Sequence, residues 1–160
     1  LEIDLQKFQL IHKILKGFIM SNVWSGGCSC GAIRYECTSA PIASFNCHCR
    51  TCQQYTGTAF MSASLVSEKA FKITSGAVRE YKSVGDNGSE IYRGFCENCG
   101  SPVATRLARL PQVIGIPAGS MDDPAIHKPT MDLFTRDALH WVHMDPSLAK
   151  FELAPPPRRN

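Results

Sequence analysis

Apolar residues recur at helical spacing at the start of the chain and at strand spacing nearly everywhere after it. Leu1, Leu5, Phe8, Ile11, Leu15 and Phe18 fall on one side of a helical wheel, with Glu2, Lys7, Lys13 and Lys16 elsewhere, which predicts an amphipathic helix over residues 1–19. That segment is too short and too charged to span a bilayer, and it lacks the features of a transit peptide or a cleavable secretory signal. Met20-Ser21-Asn22 reads as a natural start, so residues 1–19 are either an appended or upstream-translated stretch, or a helix that supports a homodimer or lies on a membrane surface.

From Trp24 the pattern shortens to alternating or wholly apolar runs broken by Gly, Ser and Asn. Residues 32–37 alternate, with Ile33, Tyr35 and Cys37 on one face and Arg34 and Glu36 on the other, which predicts a half-buried strand with Cys37 packed as a small hydrophobe. Further strands are expected at 59–66, 70–74, 78–82, 102–106 and 112–118, with an extended segment at 42–46, and residues 90–95 lead into the CxxC motif. Residues 53–58 read as a turn, Asp86-Asn87-Gly88-Ser89 as a hairpin turn and Gly119 to Pro124 as a turn cluster. Leu133-Phe134 and Trp141-Val142 are short apolar pairs expected to cross the core as isolated strands or loops, and residues 154–160 form a loose tail. The fold class is therefore mainly β, a single domain over 20–153 behind a helical appendage.

Composition adds limits. A chain of 160 residues with 44% hydrophobic and 19% charged content is sized for one domain with a real core. The net charge of +3 is spread evenly, with no Lys/Arg run longer than Arg158-Arg159, which argues against nucleic acid and mildly favours an anionic small molecule. No membrane partner is expected of the main domain.

The eight cysteines change the picture most. Cys47-His48-Cys49-Arg50-Thr51-Cys52 places three sulfurs within six residues, and Cys28-Ser29-Cys30 with Cys96-Glu97-Asn98-Cys99 supplies four more. Four thiolates make a closed tetrahedral zinc site, whereas three leave one position for a substrate. Gly31 and Gly100 follow two of these motifs, where backbone must turn tightly around a metal. A disulfide framework is the alternative; clustering in CxC and CxxC units suits coordination better and points to a reducing compartment, most simply the cytoplasm.

Gly26 to Tyr35, Cys47 to Gln53, Thr56 to Phe60 and Phe95 to Pro102 resemble the glutathione-dependent formaldehyde-activating enzyme family, which includes centromere protein V. The resemblance extends through Gly119 to Pro124, Leu133-Phe134 and Trp141, and so covers about residues 23–151. It implies an Mss4-like fold of antiparallel sheets stabilised by zinc. It further implies a structural zinc on Cys28, Cys30, Cys96 and Cys99, and a catalytic zinc on Cys47, Cys49 and Cys52. One departure stands out: Asp132 occupies a place where family members often carry a histidine.

By that resemblance the activity is a carbon–sulfur lyase joining glutathione, or a similar small thiol, to formaldehyde or another small aldehyde, as in S-(hydroxymethyl)glutathione synthesis. Zinc lowers a thiol's pKa, so an incoming thiol suits the open position better than the water of a competing hydrolysis. His48 could orient a ligand, carry a proton or merely pack; Arg50 could pair with a substrate carboxylate or offset the sulfur charge. Thr56, Gly57 and Thr58 could line the pocket or only form the turn. Arg93, Arg106 and Arg109 are expected at the solvated surface, Trp141 in the core, and His127, His140 and His143 show no ligand spacing. Against the enzyme stand a non-catalytic zinc module for protein or nucleic acid and a thiol carrier.

Overall fold

Apolar alternation from Trp24 onward resolves into eleven strands, one α-helix and four single-turn 3-10 helices among the residues described by the computed structural model, 23–85 and 88–155. The helix expected over 1–19, part of the 86–89 turn and most of the 154–160 tail lie outside the described residues. A small antiparallel sheet has the order β1 (Trp24–Gly27), β2 (Arg34–Cys37) and β5 (Phe71–Ser75). The large sheet runs β11 (Ala149–Phe151), β10 (Met131–Leu133), β3 (Ala43–Cys47), β4 (Met61–Ser67), β9 (Val113–Pro117), β8 (Pro102–Leu107), β7 (Glu90–Phe95) and β6 (Arg79–Val84). All its pairings are antiparallel except those of β10, which runs parallel to both β3 and β11. Among the described residues no helix is long and apolar enough to cross a membrane.

Pleat phase divides the large sheet into two faces. On β4, Ser64 and Val66 oppose Ile116 and Ile114 of β9, and Val66, Ile114 and Ile116 pack with Ile33, Tyr35 and Cys37 of the small-sheet side. Cys37 is fully buried there, as the alternation of residues 32–37 predicts. Met61 and Ala63 point the other way and pack with Cys47, Cys49 and Cys52 in a second cluster. Gly26 joins β1 to the core at closest approach: a Cβ there would lie 2.2 Å from Tyr35 Oη and 2.3 Å from the Ser120 carbonyl oxygen.

The structure corrects the sequence reading in three places. The turn expected over 53–58 is confined to 57–58: Arg50–Thr56 is an α-helix, α1, closed by Gly57 in the left-handed region at φ 69°. Its N-cap is Cys49, whose sulfur accepts from the Cys52 N–H at 3.4 Å, a role usually signalled by Ser, Thr, Asp or Asn. Trp141 is 65% exposed, on a surface connection rather than in the core. Arg93, expected at the surface, is 3% exposed.

Candidate metal centres

Two turns bring the first sulfur cluster together. Cys28 and Cys30 lie between β1 and β2, Cys96 and Cys99 between β7 and β8, and the four sulfurs lie within 4.8 Å of one another. Cys28 and Cys30 sulfurs are 3.5 Å apart, and those of Cys30 and Cys96 3.7 Å. Four ligands at the usual Zn–S length of about 2.3 Å stand about 3.8 Å apart along a tetrahedral edge, whereas a disulfide brings sulfurs to about 2.05 Å. The spacing fits a shared ion, and all eight cysteines are unbridged. Donors aim at the sulfurs: the Ile33 N–H reaches Cys28 at 3.2 Å, and the Ser101 hydroxyl stands 3.2 Å from Cys99. The Ser101 hydroxyl, its backbone N–H and that of Cys30 hold Cys99 down to about 5. Cys30, although the Ala32 N–H favours its thiolate, is pushed up to about 12 by the Cys28 and Cys99 sulfurs.

The second cluster is local. Cys47 ends β3, Cys49 caps α1 and Cys52 sits in its first turn, so strand end and helix start bring three buried sulfurs within 4.8 Å of one another. Contacts from Cys47 and Cys52 hold Cys49 down to about 2. The same contacts, with burial, push Cys47 far above a normal thiol. Cys52 rises to about 11: the Cys47 contact lowers it, but the Cys49 sulfur and burial outweigh that. One negative charge is thus comfortable among these sulfurs and three are not, unless a cation stands between them. A divalent ion fits both clusters by this donor chemistry.

His48, between two of these cysteines, is 1% exposed and turned away from solvent, with Nε2 3.5 Å from Asp132 Oδ1. Asp132 accepts from Asn46 Nδ2 at 3.0 Å, its other oxygen lies 2.9 Å from Lys150 Nζ, and Asp132 stands opposite Asn46 in the β10–β3 register. The Phe60 ring covers His48 at 5.1 Å. Arg50 is exposed and donates to Gln53 Oε1 at 3.0 Å. Gln53 is buried and its amide nitrogen donates to the His48 and Asp137 carbonyls at 2.6 and 3.0 Å, locking α1 against the chain on both sides.

A cavity of about 710 Å³ has Cys28 in its lining and none of Cys47, Cys49 or Cys52. Cys28 contributes to its wall from one cluster, and Met61, which packs with the three sulfurs, from the other. Thr56, Thr58 and Phe60 line it as well, whereas Gly57, His48 and Arg50 do not. The Arg34–Asp122 ion pair closes the far side, with Ser25 Oγ donating to Asp122 at 2.6 Å.

Sequence reasoning missed Arg93. On β7 it stands opposite Thr105 of β8, which stands opposite Gly115 of β9 and so Leu65 of β4, on the face that carries Met61. Its two terminal nitrogens lie 3.9 and 4.0 Å from Cys52 Sγ, its carbon 5.0 Å over the Tyr55 ring, and its Nε donates to Ser83 Oγ at 3.2 Å. Burial lifts the Tyr55 phenol to about 12, so it stays neutral and donates to the Gly94 carbonyl at 2.8 Å.

A family model described as glutathione-dependent formaldehyde-activating enzyme matches residues 23–137. A crystal structure of a Rhodobacter sphaeroides protein is similar over 79% of this chain and 98% of its own, at 18% identity and a TM-score of 0.49. No curated protein matches the sequence.

Proposed function

Because the chain belongs to the glutathione-dependent formaldehyde-activating enzyme family, with its mainly β, Mss4-like fold, we propose that it joins a small thiol to a small aldehyde at the three-cysteine cluster. Glutathione and formaldehyde are the substrates the family suggests, and carbon–sulfur lyase is the reaction class. One zinc ion is assigned to each cluster, structural at Cys28, Cys30, Cys96 and Cys99, catalytic at Cys47, Cys49 and Cys52. A reducing compartment such as the cytoplasm suits seven ligating thiolates.

One observation carries this reading: three sulfurs, one fewer than a tetrahedral ion takes, lie buried in one cluster with Met61, and Met61 lines a cavity of about 710 Å³, large enough for a tripeptide. When bound there, zinc supplies Lewis acidity and one open position that favours a thiolate over a thiol. The protein's own residues do the rest. Met61 packs against the sulfurs, Phe60 covers His48, and the Thr56 and Thr58 hydroxyls, whose protons go to the Cys52 and Phe60 carbonyls, offer acceptors to a peptide in the cavity. Asp132 and Asn46 hold the strand that delivers Cys47, and Gln53 holds the helix that delivers Cys52. The reaction conserves atoms: the sulfur bonds to the carbonyl carbon, and the thiol's proton ends on the former carbonyl oxygen.

Exchange spectroscopy with carbon-13 formaldehyde and glutathione tests this. The protein should speed formation of the S-hydroxymethyl adduct above the spontaneous rate, and Cys49→Ser should return it to that rate. A rate equal with and without protein, at full metal content, overturns the proposal.

A further inference from the structure

Arg93 is a buried cation, 3% exposed. Among the described residues no Asp or Glu stands within ion-pair distance of it, and its neighbours are a serine hydroxyl, a tyrosine ring and the Cys52 sulfur. A guanidinium keeps its charge under all ordinary conditions, and an uncompensated buried charge is among the costliest features a fold can carry. The available anion is the sulfur cluster, on the same face of the sheet. Terminal nitrogens at 3.9 and 4.0 Å from Sγ are at the long end of contact with a large, polarisable sulfur, and they sit nearly equidistant from it, as a fork facing one charge does.

Charge counting gives this contact a role. Three thiolates and a divalent ion sum to about minus one, and Arg93 brings the enclosed site to zero. Without Arg93, an anionic fourth ligand would raise the buried charge to minus two; with it, the site reaches minus one. A neutral ligand changes the sum in neither case. Resting on the reading of an open three-cysteine site, we propose that Arg93 is the specificity-determining counter-ion of that site, selecting an anionic sulfur donor over a neutral one as the fourth ligand. A thiol entering there leaves its proton to solvent and arrives as the thiolate. Arg93 acts through Cys52 and touches no substrate, so it is a positioning residue.

Cobalt(II)-loaded protein tests the idea without turnover. Thiocyanate, an anion at every working pH, and imidazole, a neutral donor, are titrated against the visible bands of the three-cysteine site; the closed four-cysteine site gives a constant background. In Arg93→Met, thiocyanate affinity should fall by about tenfold or more while imidazole affinity stays within about twofold. Arg93→Lys, which keeps the charge and loses the fork, should recover most of the thiocyanate affinity and guards against a Met variant that fails to fold. Equal losses for both ligands, or a Lys variant as poor in thiocyanate as Met, overturn the proposal. If the wild-type bands respond to neither ligand, the site is closed and the counter-ion role falls with it. Absent formaldehyde turnover beside an intact thiocyanate-to-imidazole preference would instead remove only the lyase assignment.

Discussion

The two sulfur clusters use the same donor atom in opposite settings. In the four-cysteine cluster the ligands come from turns 66 residues apart, two of its sulfurs are exposed, and the donors facing them are neutral amides and hydroxyls. The three-cysteine cluster comes from six consecutive residues, is wholly buried, and faces a guanidinium. A cross-link does its work by closing a long loop, and exposure does it no harm. A site that must exchange a ligand gains nothing from loop closure; it needs water kept out and its charge balanced. On the proposed assignment, exposure and charge compensation, more than sulfur count, would separate the structural centre from the reactive one.

Breaking the cross-link should have the largest effect. Cys96→Ser removes a buried ligand of the four-cysteine cluster, and structural zinc contributes an apparent ~10 to 16 kcal/mol in small domains, as much as such a domain's whole stability. The variant is expected to show no cooperative thermal transition and poor amide dispersion by NMR. A folded Cys96→Ser protein melting within a few degrees of wild type would place the pin elsewhere. Next comes Gly26→Ala, where the added carbon would overlap both the buried Tyr35 hydroxyl and a backbone oxygen that cannot yield. A cost of about 3 kcal/mol is expected, read as a lower midpoint in urea with unchanged slope.

Cys49→Ser sharpens the contrast from the other side. The variant should stay folded, because its ligands close only a loop of a few residues and serine is itself a good N-cap for α1. Metal content should fall by about half, with a stability loss on the order of 1 to 2 kcal/mol. If Cys49→Ser unfolded as completely as Cys96→Ser, the division of labour between the clusters would be wrong.

The three-cysteine cluster was legible in the sequence because its motif fixes sulfur geometry over six residues, and the four-cysteine one because each half is a local CxC or CxxC pair and two such halves complete a tetrahedral set. The strand β2 was legible for the same local reason, its alternation over residues 32–37. What escaped depended on distant partners. Arg93 follows Ile91-Tyr92 and precedes Gly94-Phe95, a run with no clear alternation, and its inward face is set by pairing with β8 across a register shift at Gly94 and Phe95. Seven residues are too few for α1 to show a helical period, and its cap was a sulfur already claimed as a ligand. Trp141 looked like core because it is large and apolar, but chain geometry carries residues 138–148 over the surface before β11. β1 and β11, four and three residues long, were too short to signal at all.

Asp132 probes the smallest difference between the clusters, since a buried carboxylate supports only the three-cysteine one. Burial alone would raise its pKa, but bonds from Asn46 and Lys150 and the approach of His48 outweigh that and hold it below the usual carboxylate range. A carboxylate whose folded pKa is depressed contributes stability that is present above its unfolded value of about 3.9 and is lost as pH falls through the folded value. Asp132→Asn should therefore cost about 1 kcal/mol at neutral pH, roughly 3 °C in melting temperature, because Lys150 remains partly exposed and can turn to water. The gap between the two proteins should hold steady from pH 7 to about pH 5 and close below about pH 4. Melting curves across that range decide it: a gap that persists undiminished at pH 3 would mean that Asp132 steadies Cys47's strand by shape alone and not through its charge.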